Sequence, residues 1–215
     1  MLMRHALLCA VFSLVATSAH AATIFDNFGP GDSYDVSDSD VTGPADLAYS
    51  FVVSGSGGDF DLDQVVLALD SVSAPENANL SLADDASGSP GTVLTSFPTI
   101  GVLNPAPGDI FTVSPDSPTT LLAGQTYWLI LSPPFGVEIG WGNNNTTGVI
   151  VPAAFRLNDA SAWSPFSSAA AFRVEGTEIV VPEPATAFQL ALGLVALGIG
   201  GRPGWRSRQA SRSRG

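Results

Sequence analysis

The sequence predicts an all-β fold, a single antiparallel β-sandwich of about 160 residues enclosed by two terminal segments of different character. Three observations carry this. Short apolar runs recur between clusters of glycine, proline, serine, asparagine and aspartate. No segment before Ala185 sustains a helical period with caps. Where side chains alternate clearly, they alternate at period two: Phe60 and Leu62 between Asp59, Asp61 and Asp63, and Leu80 and Leu82 beside Asn79 and Ser81. One face inward and one outward suits antiparallel sheets, and a jelly roll is one topology that fits.

Taken in order, the runs predict strands at Thr23–Phe28, Leu47–Ser54, Phe60–Leu69, Asn79–Ala83 and Thr92–Phe97. Further strands are expected at Asp109–Val113, Thr126–Leu131, Val137–Trp141, Ala153–Leu157 and Ala170–Gly176. Turn signals stand between them at Gly55–Gly58, Gly88-Ser89-Pro90-Gly91, Pro105–Gly108 and Asn143–Asn145. Gly29–Asp46 is acidic and poor in apolar residues, and is expected to be a long loop crossing one end of the domain.

The N-terminus has the make-up of a signal peptide. Arg4 and His5 give a positive start, Ala6–Ala16 an apolar run of 11 residues, and Ala19 and Ala21 the small residues that a signal peptidase reads. Cleavage is expected after Ala21, with Ala22 as the next choice. At the other end Val181-Pro182-Glu183-Pro184 is a stiff stretch that cannot be helical. Ala185–Gly201 follows, 17 residues interrupted only by Thr186 and Gln189. As a helix it would reach about 25 Å, a short span against a hydrocarbon core of ~30 Å. Arg202, Arg206, Arg208, Arg212 and Arg214 close the chain without an acidic residue among them. Positive residues beside a span stay cytoplasmic, so the domain is expected outside. The expected organisation is a signal peptide at 1–21, the β domain at 22–177, a tether at 178–184, a transmembrane helix at 185–201 and a basic cytoplasmic tail at 202–215.

Between the two ends, the composition is restrictive. The chain has no lysine; both histidines, the cysteine and both methionines lie within the expected signal peptide. Residues 22–181 keep only Arg156 and Arg173 as cations, against 15 aspartates and 4 glutamates, a formal charge near −17. Catalysis by Ser-His-Asp or Cys-His, histidine and cysteine zinc sites, Schiff-base lysine chemistry and disulfides are all excluded within this span. So is a positive footprint for nucleic acid. Carboxylate chemistry and oxygen-ligand metal binding survive.

The C-terminal triplet of Pro182-Glu183-Pro184, a weak span and an arginine cluster resembles the PEP-CTERM sorting signal. That resemblance implies cutting near the motif by an exosortase-type enzyme at the inner membrane, and release or transfer to the cell surface. A permanent single-pass anchor would use the same physics without the cut. The middle also resembles a known group, the choice-of-anchor domains. The likeness rests on Phe25-Asp26-Asn27-Phe28-Gly29-Pro30, Leu80-Ser81-Leu82-Ala83-Asp84-Asp85 and Ser89-Pro90-Gly91-Thr92-Val93-Leu94, then on Leu122-Ala123-Gly124-Gln125-Thr126-Tyr127-Trp128-Leu129 and Gly140-Trp141. Ala83 departs from it, since an aromatic is usual there. The resemblance implies a surface-exposed β module and brings no catalytic residues.

Three constellations carry alternative chemistry. Asp59, Asp61 and Asp63 have the spacing of the first positions of a calcium loop, but Gln64 stands where that loop needs glycine. They form either a solvated strand face or, with a loop such as Asp84-Asp85, a calcium site. Trp141 and Trp163 lie in or beside loop-like sequence, where an exposed ring would stack on a sugar; buried packing is the competing fate. Glu138 and Glu175 are the only glutamates on expected strands, and a glycosidase would need such a pair across a cleft. The leading expectation is a non-enzymatic surface or exopolysaccharide-matrix protein without cofactor, whose partners are a signal peptidase, an exosortase-type enzyme and exopolysaccharide. The second is a carbohydrate-binding module with or without calcium, and the third a carboxylate glycosidase.

Overall fold

The computed structural model describes residues 21–35, 40–54, 58–71, 76–105, 108–145, 149–157 and 161–179. Among them there is no helix, and every strand ladder is antiparallel. The strands in chain order open with β1 (Ala21–Asp26), β2 (Tyr34–Asp35), β3 (Asp40–Thr42), β4 (Asp46–Val52) and β5 (Phe60–Ser71). Next come β6 (Glu76–Asp85), β7 (Pro90–Ser96), β8 (Ile100–Leu103), β9 (Asp109–Val113), β10 (Thr120–Leu121) and β11 (Thr126–Ser132). The last are β12 (Glu138–Trp141), β13 (Asn143–Asn144), β14 (Val151–Arg156), β15 (Ser164–Ser168) and β16 (Phe172–Glu178).

Two seven-stranded sheets result. The first is built on β5, the longest strand. Leu67 pairs with both Phe172 and Phe111, and Leu69 with both Trp141 and Asp109. Hence β16 and β12 lie end to end along one side of β5, with β9 on the other. β1 extends the sheet beyond β16 and β3 extends it beyond β12. The second sheet runs β15-β14-β4-β11-β6-β7, with β8 also on β6. Alternation in β5, reset by a bulge at Asp63, and in β11 sends Leu62, Val65, Leu67 and Leu69 from one sheet, and Tyr127, Leu129 and Leu131 from the other, into one shared core. Aromatic rings bridge the sheets: Tyr49 meets Trp141 edge-on at 4.8 Å between centroids, and Phe51 meets Phe172 at 6.3 Å.

The turn joining β6 and β7 follows from its residues. Ser87 and Gly88 both take positive φ, 60° and 87°, the pair of conformations a two-residue type I′ hairpin requires. Asp85 accepts the Gly88 N–H at 3.0 Å, and Asp84 accepts that of Thr92 at 2.5 Å.

The expected long loop at Gly29–Asp46 is not what forms. Within it lie β2, paired with β13, and β3, the edge of the first sheet. Phe28 and Tyr34 fold onto the outer face of that sheet, over Val66, Ala68 and Ala171. A single apolar residue, Val41, suffices to hold β3 because it pairs with Ile139 and buries itself in the core. Tyr34 seals its cluster by lying against Gly142: a Cβ there would sit 2.7 Å from the Tyr34 ring. Burial there, with the charges of Asp109 and Asp70 adding to it, pushes the Tyr34 hydroxyl above its ordinary pKa.

Candidate functional site

Each residue singled out in the sequence has a definite place or lies outside the described residues. Trp141 is fully buried, its Nε1 donating to the Ala171 carbonyl at 3.1 Å. This corrects the expectation of sugar contact there: the ring fills the space between the sheets and has no face to offer. Trp163 is on the far side of the second sheet, partly buried against Ala48, Ala83, Trp128, Ile130 and Ala154. The Arg156 guanidinium stands 4.6 Å over its ring, in the position a sugar would take on that face. The two tryptophans therefore do not form a common site.

Ala83 belongs to the same outer cluster. Ala83 is buried directly opposite Trp128 in the ladder of β6 and β11, and the indole Nε1 donates to Asp85 at 2.8 Å. With the large ring already on β11, its partner position takes the smallest side chain.

The three aspartates separate as well. Asp59 accepts the backbone N–H of Ala123 at 3.0 Å, Asp61 the hydroxyl of Thr120 at 3.0 Å and Asp63 that of Thr177 at 2.8 Å. Thr120 and Thr177 belong to β10 and β16, which flank β5 on opposite sides. The carboxylates are thus drawn apart, and Asp84 and Asp85 serve the hairpin turn of the other sheet. Among the described residues no three histidine, cysteine, aspartate or glutamate side chains come together in a group that could hold a metal.

Glu138 and Glu175 alternate with the inward Ile139, Trp141 and Val174, so both face away from the shared core. Glu175 accepts from Gln64 and Arg173, each at 2.6 Å. Arg173 also pairs with Asp32 at 2.6 Å and lies 3.8 Å from Asp26. Its hydrogen bond to Asp32 leads the influences that raise the guanidinium above its already high pKa, so it is a fixed cation.

A second arginine anchors the other sheet. Arg156 Nε bonds the nearly buried Asp46 at 2.6 Å across β14 and β4. Replacing Arg156 by lysine should lower stability by about 1–2 kcal/mol in urea unfolding, because the stack on Trp163 is lost while the charge remains. Replacement by alanine should cost about 3 kcal/mol, since Asp46 is left buried and unpaired.

The concave feature that remains was not legible in the sequence. A groove of about 890 Å³ opens at the edge of the shared core, where β14 and β15 face β3. Val41 and Leu47 are at its base, and Phe155, Phe166 and Leu157 form a wall. Phe155 and Phe166 meet edge-on at 6.3 Å. Asp40, Thr42, Asn143, Ser167 and Ser168 add polar groups to the lining, which holds no basic residue. Phe155 is 42% exposed, Ile150 66% and Leu157 64%. Neither Trp141, Trp163, Glu138 nor Glu175 lines it.

The chain matches no protein-family model and no curated protein. Of the sorting residues, Ala21 is the first residue of β1, paired with Thr177. Ala19, Val181, Pro182, Glu183, Pro184 and the five terminal arginines lie outside the described residues, as does the expected helix at 185–201. Among the described residues no helix is long and apolar enough to cross a membrane.

Proposed function

We propose that the chain is an exported, non-enzymatic surface or matrix protein. Its β-sandwich domain would be held at the inner membrane, cut near Pro182-Glu183-Pro184 by an exosortase-type enzyme and delivered to the cell surface or exopolysaccharide. The observation that carries this reading is the ordered set at the C-terminus: a proline-stiffened motif, a short apolar stretch, then five arginines. The export signal upstream demands the same topology. Two antiparallel sheets sharing one core support the sandwich. The non-enzymatic reading draws support from the placement of the acids. Asp59, Asp61, Asp63 and Glu175 each serve a neighbouring strand or loop, and among the described residues the groove lining holds one carboxylate, Asp40, rather than a facing pair.

Intact-mass measurement of the cell-associated protein tests the sorting step. The expected species begins at Ala22 and ends near Pro184, without the arginine tail. Recovery of chains that still carry Arg214 as the mature form would overturn the cut and leave a permanent single-pass anchor.

A further inference from the structure

The geometry points to the groove between β3 and the β14–β15 hairpin as a binding site for a neutral oligosaccharide. This deepens the reading of the chain as a matrix protein, because it gives the domain a means of holding glycan.

Four features on the molecule converge on that ligand class. The first is size: about 890 Å³ lies within the range of small-molecule clefts, roughly 300–1,000 Å³. The second is the mixed lining. A pyranose ring has an apolar C–H face and a rim of hydroxyls, and the groove sets aromatic and aliphatic side chains against polar ones. Phe155, Phe166 and Leu157 are the surface for the ring face. The Asp40 carboxylate and the Thr42 and Ser168 hydroxyls are groups of the kind that read sugar hydroxyls, since each offers more than one hydrogen-bonding site.

The third feature is charge. Among the described residues the lining contains one carboxylate and no cation, within a domain of formal charge near −17. An anionic polysaccharide would be repelled, so the sugar is neutral.

The fourth is that the bordering strands are poor templates for a peptide. β3 is three residues long, and β15 carries Pro165, which has no N–H to donate. An added peptide strand would gain few ladder hydrogen bonds on either side. An acyl chain offers no hydrogen-bonding group to the polar side chains of the lining. A glycan satisfies both kinds of wall.

The test uses the full chain in lipid nanodiscs and isothermal titration with neutral hexasaccharides of glucose, mannose and galactose, with a hexamer of galacturonic acid beside them. Binding of at least one neutral hexasaccharide is expected, and none of the uronic-acid hexamer. Phe155→Ala should weaken binding about tenfold, the loss of one aromatic contact. Ile150→Arg, at an exposed position of the rim, should abolish it by filling the mouth. Val93→Ala, on the distant edge strand β7, should leave it unchanged. The circular dichroism melting curve of each variant establishes that it is folded.

The proposal is overturned if no neutral hexasaccharide binds the wild-type chain. It is equally overturned if binding is indifferent to both groove substitutions in folded variants, or if only a peptide or fatty acid is taken up. Processing near Pro184 is read separately by mass in the Phe155→Ala strain. A cut chain that binds no sugar sinks this site alone, and a sugar-binding chain that stays uncut sinks the sorting step alone.

Discussion

Trp141→Ala lowers the free energy of unfolding by about 4 kcal/mol, measured as a shift of the urea midpoint at unchanged slope. The reason is position. Trp141 ends β12 where that strand meets β5, and its ring touches Tyr49 of the second sheet and Phe172 of the first. Truncation leaves a cavity between the sheets that none of these rigid rings can close. It also leaves the Ala171 carbonyl without the indole N–H. Trp141→Phe should cost about half as much, keeping most of the volume and losing the hydrogen bond. An alanine variant within about 1 kcal/mol of wild type would mean that the ring is not in the core.

Asn27→Leu costs about 3 kcal/mol by the same measurement. Asn27 is buried beside the start of β16, where three hydrogen bonds converge on one residue. Its backbone N–H donates to the Phe172 carbonyl at 3.3 Å, its Oδ1 accepts the Phe172 N–H at 2.8 Å, and its Nδ2 donates to the Ala170 carbonyl at 2.5 Å. The side chain thus continues the ladder of β1 and β16 past the point where backbone pairing ends. Leucine has similar volume and neither polar group, so a buried N–H and a buried carbonyl lose their partners together. Asn27→Asp keeps the acceptor, loses the donor and adds a buried charge, and should be at least as damaging. If the leucine variant unfolds at the wild-type urea concentration, the clamp carries no energy.

These two residues also show how far the sequence could be read. Asn27 stands in the Phe25-Asp26-Asn27-Phe28 segment, yet its role depends on Ala170 and Phe172, more than 140 positions away. Trp141 was placed beside a loop because Gly142 and three asparagines follow it. The better signal was its alternation with Ile139, which sends both inward. Agreement is uneven even among strands with several apolar residues: β9 has the expected bounds and β11 differs by one residue, whereas β8 lies outside every expected strand. β3 and β15 were missed because each brings one apolar side chain, Val41 or Phe166, and local pattern needs at least two. The groove lies between those two strands. Its existence depends on where one sheet ends relative to the other, a tertiary fact that no window of sequence contains.

The two ion-paired arginines have a consequence for resistance to proteolysis. A protease that recognises basic side chains finds only two such residues between Ala22 and Ile179, Arg156 and Arg173. Arg173 lies within β16, hydrogen-bonded to β1 on one side and β5 on the other, and its guanidinium is already engaged by Asp32 and Glu175. To be cut there, the chain would have to leave both neighbours and enter an enzyme cleft in extended form. Arg156 is held by Asp46 and covered by Trp163, so its side chain must first surrender the partner that keeps a nearly buried carboxylate neutralised. A domain built in this way resists digestion by trypsin-like enzymes through scarcity of targets and through the cost of presenting the two it has.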